Sequence, residues 1–363
     1  MRKILLVDLA REYGGAEKVV EGLIRGFSNE NLIDIFLVCL ENTKLSEFAK
    51  NNMKPNEYML VENDKRKIFS IIYNICKFVK KNNINIIHAH NIASEIVCVL
   101  VNQICGRKLI TTIHSDCNYD FTKSIKSNIY YILENKLFCF NKGYITVSNQ
   151  LKVQLIERGL DSRKIININN GIDEVKKENI NIINDEFTIC SIGRLVRVKA
   201  HIKLIKAISI LKDKGIFIKC IIAGEGDLKE ELINKVTEEG LTDRIEFLGF
   251  INDVKEVFNK SDCLIIQSEM EGLPIVVLEA MSYGIPIIAN RVGGIAEALT
   301  SNLCIEMLNN NPREIARAIE MAKVNRKSLE NIAISAKIKF KEKYSSNQFI
   351  KKHTEFYLND IEI

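Results

Sequence analysis

The sequence predicts an α/β protein built from two doubly wound, Rossmann-like domains. Short runs of β-branched residues alternate with helix-length segments of apolar periodicity along the whole chain. This alternation is typical of parallel sheets covered by helices. The chain has 363 residues, which is more than one core comfortably holds. With 47% hydrophobic and 27% charged residues, its composition is that of an ordinary globular protein.

Ten strands are predicted, five in each half of the chain. Those of the first half are residues 3–8, 33–40, 84–88, 108–113 and 143–147. Those of the second half are residues 187–192, 216–223, 245–248, 263–266 and 285–289. Helical patterns lie between them, as in residues 16–27, whose apolar side chains recur on one face.

The boundary between the domains is predicted in a polar, Asn-rich stretch. The Asn170-Gly171 pair is a turn signal inside it. We therefore expect a first domain at 1–170, a linker at 171–185 and a second domain at 186–345. Residues 346–363 are predicted to form a final helix that packs back on the first domain.

Composition also excludes several classes of protein. No apolar run approaches the ~18 residues of a membrane span, and the basic, apolar start MRKILLVDLA is interpreted as a first strand because Asp8 interrupts it. The ten cysteines contain no C-x-x-C pair, which argues against a zinc site or a disulfide framework and fits a reducing cytoplasm. Heavy use of Lys, Asn and Ile is typical of an AT-rich bacterial genome.

The stretch EGLPIVVLEAMSYGIPIIAN at 271–290 places two glutamates in an otherwise apolar segment. Pro274 and Gly284 predict a helix over residues 274–283, with Gly272 allowing close approach of a ligand before it. The N–H groups of the helix start favour an anion. Glu271 lies before this helix start and Glu279 lies inside the helix. A carboxylate on each side of the helix start suits a ligand with central phosphate and hydroxyls at both ends, such as a nucleotide-sugar. A loop charge plus a helix-surface glutamate explains this stretch equally well.

Further candidates follow predicted strands, where doubly wound sheets bind ligands. Arg194 and Lys199 suit a diphosphate, although a solvated basic loop is the simpler interpretation of that segment alone. The pair Gly14-Gly15 opens the first helix and allows backbone to approach a phosphate, although alone it is a weak signal. Gly224 follows a strand, but it can be a mere turn. For His114, at the end of a strand, we favour a functional role. Two further histidines, His88 and His90, are interpreted as structural.

These segments together resemble the large family of retaining glycosyltransferases with the GT-B fold. The resemblance rests on five motifs of the second half, in the family's order and spacing: GRLVRVK at 193–199, the glycines at 224–226, FLGFINDV at 247–254, SEMEGLPIVVLEAMSYGIPIIAN at 268–290 and GGIAE at 293–297. Weaker matches in the first half are YGGAEKV at 13–19, IIHAHN at 86–91, TTIHS at 111–115, ITVSN at 145–149 and NNGID at 169–173. The resemblance covers nearly the whole chain.

The resemblance implies a site between two domains that face each other across a cleft. Glu271 would contact hydroxyls of the donor sugar and Glu279 the ribose. Arg194 and Lys199 would hold the diphosphate as it leaves, without a metal or other cofactor. The remaining donor contacts would come from the backbone of residues on both domains: Gly15, Gly224, Ile251, Gly272, Leu273, Pro274, Ile275 and Val276. His114 would lie at the donor sugar, and the departing diphosphate would take the acceptor's proton.

Three positions depart from the family's pattern. Ala200 stands where Gly or Asn is preferred, and Gln267 and Ala296 stand where Pro is usual. None of them removes a charged group, so an active enzyme is expected. The alternatives are a GT-B sugar-nucleotide epimerase, and a non-catalytic partner subunit of another transferase. The expected donor is UDP-linked, and the expected acceptor is a saccharide or polyprenyl-linked saccharide in bacterial glycan synthesis. No nucleic-acid partner is expected.

The positive charge lies in the first half of the chain. Residues 1–170 contain 24 Lys and Arg against 17 Asp and Glu, whereas residues 171–363 contain 27 against 29. In residues 121–144, Lys123 and Lys126 flank an apolar face that either packs on its own sheet or lies on an anionic membrane. We favour packing for the apolar face and retain the lysines as membrane contacts. The expected location is cytoplasmic, with peripheral membrane attachment.

Overall fold

The computed structural model describes residues 1–28, 30–115, 135–137, 139–176, 186–326 and 329–359. The chain divides into two compact units, Met1–Asp173 with Ser346–Ile363, and Glu174–Ser345. Each unit is an α/β structure around one parallel sheet, which confirms the predicted fold class. Most of the predicted linker 171–185 and most of residues 121–144 lie outside the described residues.

The sheet of the first unit has seven described strands in the order β3-β2-β1-β4-β5-β6-β7. They are β1 (Arg2–Asp8), β2 (Ile33–Leu40), β3 (Tyr58–Val61), β4 (Ile86–His90), β5 (Lys108–Ile113), β6 (Gly143–Thr146) and β7 (Ile165–Asn167). The helices described here are α1 (Gly15–Phe27), α2 (Lys44–Asn52), α3 (Ile68–Lys81), α4 (Ile92–Cys105), α5 (Asn149–Glu157) and, at the end of the chain, α13 (Ser346–Leu358). Helices α3 and α4 pack on the sheet face that carries Leu5 and Val7.

The chain's last helix belongs to the first unit. The ring of Tyr357 in α13 lies 5.9 Å from the ring of Phe27 in α1, and its hydroxyl lies 2.6 Å from His88 Nδ1. Because His88 is opposite Leu6 of β1, α13 covers the sheet face opposite to α3 and α4. The fully buried Tyr357 thus closes one side of this unit's core.

The sheet of the second unit has six described strands in the order β10-β9-β8-β11-β12-β13. They are β8 (Thr188–Ile192), β9 (Lys219–Ala223), β10 (Ile245–Gly249), β11 (Cys263–Ile266), β12 (Ile287–Asn290) and β13 (Ile305–Met307). The helices described in this unit are α6 (His201–Asp213), α7 (Lys229–Glu238), α8 (Lys255–Phe258), α9 (Ile275–Tyr283), α10 (Gly294–Ala298), α11 (Pro312–Val324) and α12 (Leu329–Lys343). The core packs α6 and α11 against β8, β9 and β11.

Two groups of predictions about the strands were wrong. The strand predicted at 84–88 runs from Ile86 to His90, two residues further along, so His90 lies on β4 together with His88. The strands β3, β7 and β13 were missed. They have only three or four residues and lie at sheet edges, where so short a run shows no clear alternation. In the described part of the chain, no helix is both long enough and apolar enough to span a bilayer.

Candidate functional site

The order of the strands in the second unit marks one edge of its sheet as the place for a ligand. From β8 the chain proceeds outward through β9 and β10, and it then returns to β11 on the other side of β8. Loops that leave two such neighbouring strands diverge and open a crevice at the carboxyl ends. Arg194 follows β8, and Glu271 follows β11. The residues predicted from sequence therefore lie at this switch point.

Lys199 and Glu271 form an ion pair in this crevice. Lys199 Nζ lies 2.5 Å from Glu271 Oε1, and the two side chains are 20% and 10% exposed. Lys199 ends a short 3₁₀ turn, Arg197–Lys199, before α6. The pair joins loops that are 72 residues apart in sequence. A simple solvated basic loop, the alternative for this segment, does not describe Lys199.

Polar side chains that sequence reasoning missed hold this pair in place. Ser268 Oγ donates to Glu271 Oε1 at 2.6 Å, and Asn290 Nδ2 donates to the Ser268 carbonyl at 2.8 Å. Gln267, which is buried, donates from Nε2 to the Lys199 carbonyl at 2.7 Å. Backbone links add to this, since the Glu269 N–H donates to Val198 O at 2.8 Å. The β11 loop and the basic loop are therefore fastened together.

Two glycines allow backbone to pack directly on this site. A Cβ added at Gly293 would lie 1.7 Å from the Glu271 carbonyl oxygen, and one added at Gly224 would lie 1.9 Å from the Gly193 carbonyl oxygen. Gly224 was predicted as a candidate with a turn as the alternative, and its close contact explains why a side chain is excluded there. Gly293 was not predicted as a site residue, although the GGIAE segment at 293–297 was noted.

The helix that follows Glu271 and contains Glu279 has the predicted form. It spans Ile275–Tyr283, Pro274 precedes it with extended backbone, and Gly284 ends it in the left-handed conformation at φ 86°. Glu279 is only 8% exposed, so it is not the helix-surface glutamate of the alternative interpretation. The first N–H groups of a helix have no partner within it. Gly272 and Leu273, which come just before this helix start, are buried.

The first unit contributes the other predicted residues, each described within that unit. Gly15 begins α1, and the preceding Gly14 N–H donates to the Glu17 carboxylate at 2.6 Å. His114 follows β5, and its Nε2 lies 3.2 Å from His90 Nδ1. Burial, and then the nearby His353, lower the pKa of His114 to about 4. Its imidazole is therefore neutral at neutral pH.

His88, His90 and His353 are buried and form one group of rings with the half-buried His114. The rings of His88 and His90 are 4.3 Å apart, and those of His90 and His114 are 5.4 Å apart. His88 is held between the Tyr357 hydroxyl and Thr112 Oγ1, which lies at 2.7 Å. His90 Nε2 is buried and makes no hydrogen bond within the described residues. The group ties the position of His114 to that of α13.

Two family profiles match the chain. The one described as Glycosyl transferases group 1 matches residues 173–339, and the one described as Glycosyltransferase Family 4 matches residues 13–176. This protein is a glycosyltransferase of the group 1, family 4 type. No three His, Cys, Asp or Glu side chains among the described residues of this glycosyltransferase are grouped so as to hold a metal ion.

Known glycosyltransferases resemble this one over most of its length. The uncharacterized glycosyltransferase MJ1607 of Methanocaldococcus jannaschii is 29% identical over 297 residues, which is 75% of each chain. The Escherichia coli UDP-Gal:alpha-D-GlcNAc-diphosphoundecaprenol alpha-1,3-galactosyltransferase is 23% identical over 322 residues, or 80% of each chain. The crystal structure of Anabaena Alr3699/HepE in complex with UDP and glucose has a TM-score of 0.86 at 18% identity and covers 99% of this chain and 100% of that one. It has the same fold.

The second unit thus assembles most of the predicted donor residues at one sheet edge. After β8, β10 and β11 come Arg194, Ile251 and Glu271, and Glu279 follows within α9. Gly15 and His114 lie in the first unit. The supporting side chains of Ser268, Gln267 and Asn290 were not predicted, because their role depends on contacts across the fold that a linear pattern does not show.

Proposed function

We propose that this glycosyltransferase moves a hexose or N-acetylhexosamine from a UDP-linked donor to a saccharide or polyprenyl-linked saccharide, with retention of configuration and without a metal. The observation that carries this proposal is the switch-point crevice. It combines a basic loop, a buried helix start and two largely buried carboxylates in one unit. A nucleoside diphosphate sugar suits this set of groups, since its central phosphates bind cations and N–H donors and the hydroxyls at both of its ends bind carboxylates.

In this proposal Lys199 and Arg194 neutralise the charge that develops on the departing diphosphate. Fixed cations and helix N–H groups serve that purpose without reorganising during the reaction. The Lys199–Glu271 pair keeps both groups positioned before the donor arrives. Glu271 serves hydroxyls of the sugar, Glu279 serves the ribose, and the leaving phosphate takes the acceptor's proton. His114, held neutral, orients the donor sugar and does not act as a nucleophile.

The choice of UDP and of a lipid-linked acceptor draws support from the relatives. The Escherichia coli relative is named for UDP-Gal and a diphosphoundecaprenol acceptor, and the HepE crystal contains UDP and glucose. A polyprenyl-linked acceptor brings the enzyme to the cytoplasmic face of a membrane. A thermal-shift screen of UDP- and GDP-sugars tests the donor. Stabilisation by GDP-sugars alone would contradict it.

The basic pair is tested by Arg194→Ala and Lys199→Ala, with Arg197→Ala as the matched control from the same loop. Each contact to a charged group is worth about 1.5–3 kcal/mol, so we expect turnover to fall roughly tenfold to hundredfold in the first two variants. Like Arg194, Arg197 is exposed, but it is not a predicted donor contact, so its variant should leave turnover near that of the wild type. Unchanged turnover in both test variants would contradict binding of the diphosphate by this loop.

The two glutamates are separated by binding and turnover. Glu271→Gln should lower turnover and leave the affinity for free UDP unchanged, whereas Glu279→Ala should weaken UDP itself. The reverse pattern would contradict the assignment. Addition of a chelator should leave activity intact, because the cations of the basic loop take the place of a metal. Activity that is lost with chelator and restored by Mg²⁺ or Mn²⁺ would refute metal independence.

A further inference from the structure

Helices α3 and α4 of the first unit carry large apolar side chains that face solvent. Phe69 and Tyr73 of α3 are 84% and 68% exposed, and Leu100 and Ile104 of α4 are 45% and 59% exposed. Single exposed apolar residues are normal on a protein surface, but a group of four, two of them aromatic, marks an interaction site.

The four side chains line the outward side of two helices that lie side by side. Cys76 Sγ of α3 is 4.0 Å from the carbonyl oxygen of Val101 in α4, and Cys105 Sγ is 4.0 Å from the carbonyl oxygen of Cys76. This contact places Tyr73, one turn before Cys76, level with the segment of α4 that carries Leu100. The buried faces of both helices pack on the sheet. The exposed residues therefore share the outward surface, which we call the α3–α4 face.

The same face is positively charged. On α3 the outward line of Phe69 and Tyr73 continues at spacings of three and four residues to Lys77, Lys80 and Lys81, which are exposed. Among the described residues none of these three lysines forms an ion pair.

The charge is also one-sided in sequence. Residues 65–108 contain eight Lys and Arg against a single acidic residue, Glu95, so this segment accounts for the +7 of residues 1–170. Glu95 is fully buried, where its carboxylate accepts hydrogen bonds from Asn141 and Tyr144. Just before this segment, Asp64 and Glu62 pair with Arg66 and Lys67. Within residues 65–108, no exposed carboxylate offsets Lys77, Lys80 and Lys81.

We propose that the α3–α4 face docks on an anionic lipid bilayer. Aromatic and aliphatic side chains beside lysines suit the headgroup region, where apolar groups enter and lysine stems extend to the phosphates. A second copy of the chain fits poorly, because a two-fold contact would place these lysines against themselves. Docking by this face would bring the enzyme to the proposed lipid-linked acceptor, and its biological purpose rests on that proposed function. Its test uses no substrate, so failure of the transfer reaction would not affect it.

The first experiment is co-sedimentation of the full chain with vesicles of phosphatidylcholine, with and without phosphatidylglycerol. We expect binding only to the anionic vesicles, and weaker binding at high salt. Lys77→Glu/Lys80→Glu/Lys81→Glu should weaken partitioning by roughly a hundredfold or more. The matched control is Lys351→Glu/Lys352→Glu, which changes exposed lysines of α13 on the other side of the sheet and should bind normally.

The second experiment uses the absence of tryptophan from the chain. Phe69→Trp provides a single fluorophore on the α3–α4 face, and Leu308→Trp provides one at a similarly exposed site, 81% exposed, in the second unit. With anionic vesicles, the emission of Phe69→Trp should shift to the blue and be quenched by brominated lipid. The emission of Leu308→Trp should not change.

Several results would overturn the proposal. One is no binding to anionic vesicles at low salt by the folded wild type. Another is binding that survives the triple change but is lost in Lys123→Glu/Lys126→Glu, which would place the contact in residues 121–144, mostly outside the described residues. A third is self-association that Phe69→Ser/Tyr73→Ser abolishes without any effect on vesicle binding, which would make this face a protein interface.

Discussion

Gly293→Ala tests whether the position of Glu271 depends on direct packing of two backbones. The added Cβ would lie 1.7 Å from the Glu271 carbonyl oxygen. Carbon and oxygen atoms in contact settle at roughly 3.5 Å, so the two segments would have to separate by about 1.5–2 Å. A misplacement of about 1 Å in a catalytic constellation can cost roughly a hundredfold in rate. We therefore expect a fall of at least that size in transfer activity.

A matched control separates this effect from backbone strain. Gly293 has φ +57°, and Gly215, in the same unit, has φ +74° with nothing within 4 Å of an added Cβ. The positive φ costs alanine about 1–2 kcal/mol at Gly215, whereas Gly293 combines φ +57° with ψ −140°, a backbone conformation that side chains other than glycine's rarely adopt. Gly215→Ala should lose about 1–2 kcal/mol of stability in chemical unfolding and keep its activity. Gly293→Ala should lose more stability, because of the collision with Glu271, and should also lose activity, measured as nucleotide release from the donor at saturation. Equal activities in the two variants would refute the reasoning.

Three further predictions concern stability. Gly22→Ala should stabilise α1 by about 0.5–1 kcal/mol. Gly26→Ala should destabilise the protein, since its Cβ would lie 2.2 Å from Ile350 Cδ1. In a double-mutant cycle, Ile350→Ala should rescue Gly26→Ala. Ala200→Gly should raise the free energy of unfolding by up to about 1 kcal/mol, because Ala200 has φ +55°. Burial lowers the pKa of His353 to about 4, whereas in the unfolded chain it is about 6.5. As the pH falls from about 6.5 to 4, the unfolded chain therefore binds a proton that the folded protein does not, and the free energy of unfolding decreases. His353→Phe should reduce that slope by about 1.4 kcal/mol per pH unit in denaturant titrations, and an unchanged slope would mean that His353 titrates normally.

Local signals predicted the segment around α9 well. Pro274 and Gly284 are punctuation marks whose backbone preferences do not depend on the rest of the fold. They predicted a helix at 274–283, and the helix spans Ile275–Tyr283. What the sequence could not show was the environment of Glu279. A glutamate in an apolar run is compatible with a surface position or a buried one, and only packing from other elements makes it 8% exposed.

Contacts between distant segments account for what sequence reasoning missed. The Lys199–Glu271 pair and the packing of Gly293 on Glu271 both join loops that meet only because β8 and β11 are neighbours. The sequence motifs indicated Lys199 and Glu271 as site residues but not the ion pair between them. The histidines show the same limit, since the structural role given to His88 is supported by a partner, Tyr357, that is 269 residues away.

Two of the departures from the family pattern meet at one peptide. Ala200 occupies the left-handed conformation, which explains why Gly or Asn is preferred there. The carbonyl of Lys199, which belongs to the peptide entering Ala200, accepts a hydrogen bond from the buried Gln267 amide at 2.7 Å. Proline at 267 would have no such donor. The Gln267 side chain therefore stabilises the strained turn at Ala200 through this hydrogen bond. The conformational free energy that alanine costs at 200 is offset by the hydrogen bond that glutamine, unlike proline, makes from position 267. Because that turn also carries the Lys199 side chain to Glu271, the two departures preserve the site rather than erode it.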